Sequence, residues 1–117
     1  MAVVAALLAG AAPEASADAD VRERPVGLTV RGKALFVDRA VASVDGHHAD
    51  TRGRLVAVGP DGYEHTVRGW TYGQPVSAGM TRLTIVIWRV GRRFEPGTQL
   101  CAEFAAADAR ACAVIHR

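Results

Sequence analysis

The chain has 117 residues, half of them hydrophobic and 22% charged, which is the composition of one globular domain of common size and leaves no room for a second. Its formal net charge of +2 excludes the strongly basic surface of a nucleic-acid or membrane-surface binder. Lys33 is the only lysine among 14 basic residues, and Ala, Val and Gly abound, a bias of high-GC bacterial genomes, so arginine content by itself does not argue for an anion ligand.

Read from the start, Met1 to Gly10 is uncharged and apolar or small, and too short for the roughly 20 apolar residues that span a bilayer as a helix. Ala11-Ala12-Pro13-Glu14 breaks the run, and Ala15-Ser16-Ala17 puts small residues at the two positions a signal peptidase reads. Residues 1–17 are therefore expected to be a signal peptide, cleaved after Ala17, and the working protein to be secreted and extracellular rather than an integral membrane protein. The basic opening of such a peptide is missing, which reads as a start placed downstream of the true one. Residues 18–25 are expected as a flexible N-terminal segment and 26–117 as the folded domain.

Seven strands are predicted, over 26–30, 35–44, 54–58, 63–71, 81–90, 99–104 and 111–115. Gly32-Lys33, Asp45-Gly46, Gly59-Pro60-Asp61-Gly62, Gly73-Gln74-Pro75, Gly91 and Pro96-Gly97 supply the turns between them. Alternation is sharpest after Thr81, where Leu83, Ile85 and Ile87 share one face and Arg82, Thr84, Val86 and Trp88 the other. No segment after residue 17 has helical periodicity. The fold class expected is all-β, an antiparallel β-sandwich of about seven strands.

Cys101 and Cys112 are the only cysteines, and an even count in a small exported protein reads as a disulfide. A hairpin centred between Ala106 and Ala107 sets them directly opposite each other. Opposed residues of a non-hydrogen-bonded antiparallel pair have Cα atoms about 4.5 Å apart, within disulfide reach.

Phe94-Glu95-Pro96-Gly97-Thr98-Gln99-Leu100 carries a resemblance. Its Pro-Gly-Thr corner, leading into the next-to-last strand, resembles the corresponding corner of fibronectin type III and other immunoglobulin-like domains, with Leu100 where an aromatic is usual. The resemblance implies an immunoglobulin-like sandwich, a frame that hosts many unrelated functions.

Catalytic signatures are missing: the chain has no Gly-x-Ser-x-Gly elbow, His-Glu-x-x-His or phosphate loop, and no two of Asp38, Glu64, Glu95 and Glu103 stand out as a carboxylate pair. Asp45-Gly46-His47-His48-Ala49-Asp50 could offer metal ligands with His65 or Glu64, but adjacent histidines on an extended segment point to opposite faces, and the segment is read as a solvated turn. No cofactor or metal is expected, and the chain is read as a non-catalytic binding or interaction domain.

Two places could carry binding. Arg68, Trp70 and Tyr72 recur at period two; were their strand beside that of Arg82 and Trp88, the three aromatics would form a strip flanked by Arg68 and Arg82, suited to a sugar or an extracellular protein partner. The other reading sends one or both tryptophans into the core, as in immunoglobulin-like domains. The second place is Trp88-Arg89-Val90-Gly91-Arg92-Arg93, which as a rigid protruding loop would suit an inhibitor of a secreted hydrolase; its Trp-Arg pair is similar to the amylase-binding loop of small secreted inhibitors.

Overall fold

The computed structural model describes residues 18–116, so the expected signal peptide at residues 1–17 lies outside the described residues. Nine strands follow in chain order: β1 (Ala19–Glu23), β2 (Val26–Lys33), β3 (Phe36–Asp45), β4 (Arg52–Val58), β5 (Glu64–Tyr72), β6 (Gln74–Ala78), β7 (Thr81–Arg93), β8 (Thr98–Phe104) and β9 (Arg110–Ile115). They make two antiparallel sheets packed face to face, one ordered β1-β2-β3-β7-β6 and the other β5-β4-β8-β9. Among the described residues no helix is long and apolar enough to cross a membrane.

Two strands were not predicted. Residues 18–25, expected to be flexible, contain β1, which pairs along its whole length with β2 from Ala19↔Val30 to Glu23↔Val26. Its polar sequence conceals it, and Thr29 Oγ1 donating to Asp20 Oδ1 at 2.6 Å helps to hold it. β6 was read as a turn because of Pro75; it is an edge strand, where a proline need not break the ladder.

The core lies between the sheets. Leu28, Val30, Ala40, Ala42 and Val44 face it from one side, and Leu55, Ala57, Leu100, Ala102, Phe104, Ala113 and Ile115 from the other. On β7 the inward residues are Thr84, Val86, Trp88 and Val90, while Leu83, Ile85 and Ile87 point outward. Thr84 is tolerated at full burial because its hydroxyl donates to Gly46 O and accepts from His48 N, both at 2.9 Å. Trp88 gives this face the largest apolar surface to bury, and its Nε1–H donates to Thr71 Oγ1 at 3.1 Å, so the ring enters the core without an orphaned donor.

Hairpins join β1 to β2, β2 to β3, β4 to β5, β6 to β7 and β8 to β9, whereas the chain changes sheets between β3 and β4, β5 and β6, and β7 and β8. The β5-to-β6 passage turns on Gly73, where a Cβ would come 2.6 Å from Thr84 Cγ2; a larger residue there requires the buried Thr84 side chain to shift. The β8–β9 register sets Cys101 directly opposite Cys112, as the predicted hairpin centre requires, with the disulfide formed and Cα atoms 4.0 Å apart.

Candidate functional site

The outward face of the β5-β4-β8-β9 sheet holds the best-organised polar and aromatic surface among the described residues. Its two exposed rings come from the end of β5: Trp70 at 45% and Tyr72 at 67% exposure. Each is overlain by an arginine of β4. Arg54 Cζ lies 4.8 Å from the Trp70 ring centroid, and Arg52 Cζ 5.7 Å from that of Tyr72, within cation–π range.

From Arg54 an ionic chain crosses the sheet. Arg54 Nε donates to Glu103 Oε1 at 2.7 Å, and Arg110 Nε donates to Glu103 Oε2 at 2.7 Å, so one carboxylate is clamped between two guanidiniums. Arg110 also donates to both oxygens of Glu64, at 3.1 and 3.3 Å. Burial raises the pKa of Glu103, but the hydrogen bonds and charges of Arg54 and Arg110 outweigh it, and the carboxyl stays below its ordinary range. By strand register, the row Thr66–Val56–Cys101–Cys112 lies between Glu64 and Arg110. The Arg110–Glu64 bridge therefore passes over that row, consistent with full burial of Val56 and Cys101 on an outward face.

The expected three-ring strip does not form, for two reasons. β5 and β7 belong to different sheets, so Trp88, 5% exposed, sits in the core while Trp70 and Tyr72 face solvent. Two register shifts also interrupt β5, between Val56 and Leu55 and between Leu55 and Gly53. The second, between Arg68 and Thr71, breaks the alternation that had put Arg68 on one face with Trp70 and Tyr72. Arg68 is paired with the core residue Leu55, and its guanidinium reaches the other sheet to donate to Arg89 O at 2.8 Å and Val90 O at 3.3 Å. Arg82, on β7, is exposed in the other sheet. The arginines that flank the rings are instead Arg52 and Arg54.

Nor is 88–93 a protruding loop. It is the second half of β7, paired with β3 through Ala40↔Trp88, Arg39↔Arg89, Val37↔Arg92 and Phe36↔Arg93. Gly91, at φ 62°, accommodates the register shift inside this pairing. Arg89 lies 3.9 Å from Asp38, and Arg92 stacks on Phe94 with its Cζ 4.8 Å from the ring centroid.

His47 and His48 tie down the β3–β4 connection: Nε2 of His47 lies 2.9 Å from Val76 O and that of His48 2.8 Å from Asp45 O. His65 and Glu64 are on β5 beside the β4–β5 turn. Among the described residues no group of three or more His, Cys, Asp or Glu side chains is placed to hold a metal ion.

Past the end of β5 the aromatic face continues round the edge of the sandwich. A cavity of about 260 Å³ is lined by Thr71, Tyr72 and Gln74 on one side and Ile85, Val86 and Ile87 on the other. Ile87 is 58% exposed, so Tyr72 and Ile87 flank a recess of mixed polar and apolar lining. No known protein family, curated protein or solved structure matches the chain.

Proposed function

We propose that the chain is a small exported, non-catalytic binding domain that engages an extracellular protein through Trp70, Tyr72 and their flanking arginines. The single observation that carries this reading is the exposure of two large aromatic rings, each braced by a β4 guanidinium, beside exposed Ile87. Trp, Tyr and Arg are the residues enriched at interface hot spots, because they offer large contact area with few rotors to freeze. An aliphatic neighbour such as Ile87 adds to a protein contact and does little for a sugar, which favours protein over carbohydrate as partner.

The strand order supports an immunoglobulin-like frame. β2-β3-β7-β6 facing β5-β4-β8-β9 has the order A-B-E-D facing C′-C-F-G, with β1 added at one edge. The disulfide joins the last two strands rather than the two sheets, and a cysteine pair at bonding distance is compatible with an oxidising, extracellular setting. Together with the small-residue run ending at Ala17, it supports export from a bacterial cell.

The test is capture from the conditioned medium of the producing cells on immobilised wild-type protein and on the Trp70→Ala, Tyr72→Ala double variant. Chitin, cellulose and xylan serve as carbohydrate probes. A protein retained by the wild type and lost by the double variant is the expected result. Identical retention by both, or saturable binding to a polysaccharide, would count against it.

A further inference from the structure

At the opposite end of β5 from Trp70 lies a second concavity, of about 390 Å³, between the β4–β5 turn and the end of β7. That volume falls within the usual range for small-molecule sites. Both walls are pinned. Gly62 N donates to Gly59 O at 2.8 Å and Gly59 N to Tyr63 O at 2.9 Å, which closes the turn bearing Pro60 and Tyr63. Opposite, Phe94 N donates to Leu35 O at 3.0 Å, Gly97 N to Ile115 O at 2.7 Å, and Thr98 N to Glu95 O at 3.1 Å. A cleft held this way is formed before a ligand arrives, which lowers the entropy cost of binding.

Half of the arginines among the described residues lie in no ion pair, and two of these line this cleft. Arg22, Arg24, Arg31, Arg54, Arg89 and Arg110 all lie within ion-pair distance of a carboxylate. Arg92 and Arg93 both line the cleft, and among the described residues neither enters an ion pair. Arg92 stacks on the buried Phe94 ring, which sets its guanidinium beside the cleft. His65 lines the same cleft, and the Tyr63 ring stands exposed at its mouth. Two carboxylates, Asp61 and Glu95, share the rim; Asp61 Oδ1 accepts the Tyr63 N–H at 2.9 Å.

The geometry points to a binding site for a small aromatic monocarboxylate, its carboxylate on the Arg92 guanidinium and its ring against Tyr63. A guanidinium fork pairs with a planar carboxylate through two parallel hydrogen bonds. The Tyr63 ring supplies a face for a flat apolar body. Asp61 and Glu95 repel a second negative charge, so one carboxylate is preferred over a dianion such as phosphate.

The experiment is a titration followed by amide chemical shifts, with benzoate, neutral benzamide and inorganic phosphate as probes. Benzoate is expected to give saturable shifts at Tyr63, His65 and residues 92–95, with benzamide and phosphate at least tenfold weaker. Arg92→Gln should weaken benzoate at least tenfold while the spectrum stays dispersed, and Trp70→Ala should leave it unchanged. The site is overturned if benzoate gives no saturable shift, if benzamide or phosphate binds as tightly, or if Arg92→Gln binds like wild type. Because Trp70 takes no part, failure here leaves the protein-binding face standing, and the converse holds.

Discussion

Removing one tryptophan at a time separates the surface ring from the core ring and tests their placement quantitatively. Trp88 is 5% exposed between the sheets, and truncating a buried Trp to Ala costs about 3–5 kcal/mol, a large share of the roughly 5–15 kcal/mol that holds a domain of this size. Trp88→Phe keeps most of the ring and loses the hydrogen bond to Thr71, whose hydroxyl still donates to Gly69 O at 2.9 Å; about 1–2 kcal/mol is expected. Trp70→Ala removes a half-exposed ring and one cation–π contact, worth about 1 kcal/mol in all. Urea unfolding followed by circular dichroism gives the three values. The fluorescence of the single-tryptophan proteins gives the environments: Trp70→Phe should leave blue-shifted, acrylamide-resistant emission from Trp88, and Trp88→Phe should leave red-shifted, readily quenched emission from Trp70. Equal quenching of the two, or a larger stability loss from Trp70→Ala than from Trp88→Ala, would refute the placement of both rings.

Three further outcomes are expected. The 101–112 disulfide closes a short hairpin loop and should contribute about 3 kcal/mol, so Cys101→Ser, Cys112→Ser should lower the urea midpoint, and a thiol assay on denatured, unreduced wild type should find no free sulfhydryl. The folded Glu103 carboxyl titrates below its unfolded value near 4.3, so its stabilisation is present above that pH and disappears as pH falls through the lower folded value. The wild-type urea midpoint should therefore drop further between pH 5 and pH 3 than that of Glu103→Gln; parallel decline would remove the Arg54–Glu103–Arg110 clamp from the account. N-terminal sequencing of protein recovered from culture medium should begin at Asp18, and a chain still carrying Met1 would contradict export by cleavage.

The parts of this fold that could be read from the sequence rest on local rules. Gly59-Pro60-Asp61-Gly62 marks its hairpin because proline and glycine suit that turn, and the Cys101–Cys112 pairing follows from counting outward from Ala106 and Ala107. The period-two pattern of β7 was legible, yet which face turned inward was not. Leu83, Ile85 and Ile87 look like a core face in isolation; the choice is made by the facing sheet, which receives Trp88 and offers its N–H the Thr71 hydroxyl. Trp70 and Tyr72 were found because they alternate, but their neighbours were misassigned because the β5 bulges are set by tertiary packing. Arg52 and Arg54 carry the same period, and pairing the β4–β5 hairpin outward from its turn brings them to within two residues of the rings they brace. Counting outward from Ala106 and Ala107 also sets Glu103 opposite Arg110, whereas the Arg54 and Glu64 ends of the clamp and the cleft beside Arg92 join residues far apart in sequence, and no local pattern announces such meetings.

The central claim is that the Trp70–Tyr72 face is where a partner sits. Its most direct test places a photo-crosslinking phenylalanine analogue at Tyr72, and in a second protein at Val114, exposed near the far edge of the same sheet, and irradiates each in conditioned medium. A discrete protein adduct from position 72 and none from position 114 is the predicted result. Adducts from both positions alike, or from 114 alone, would contradict it.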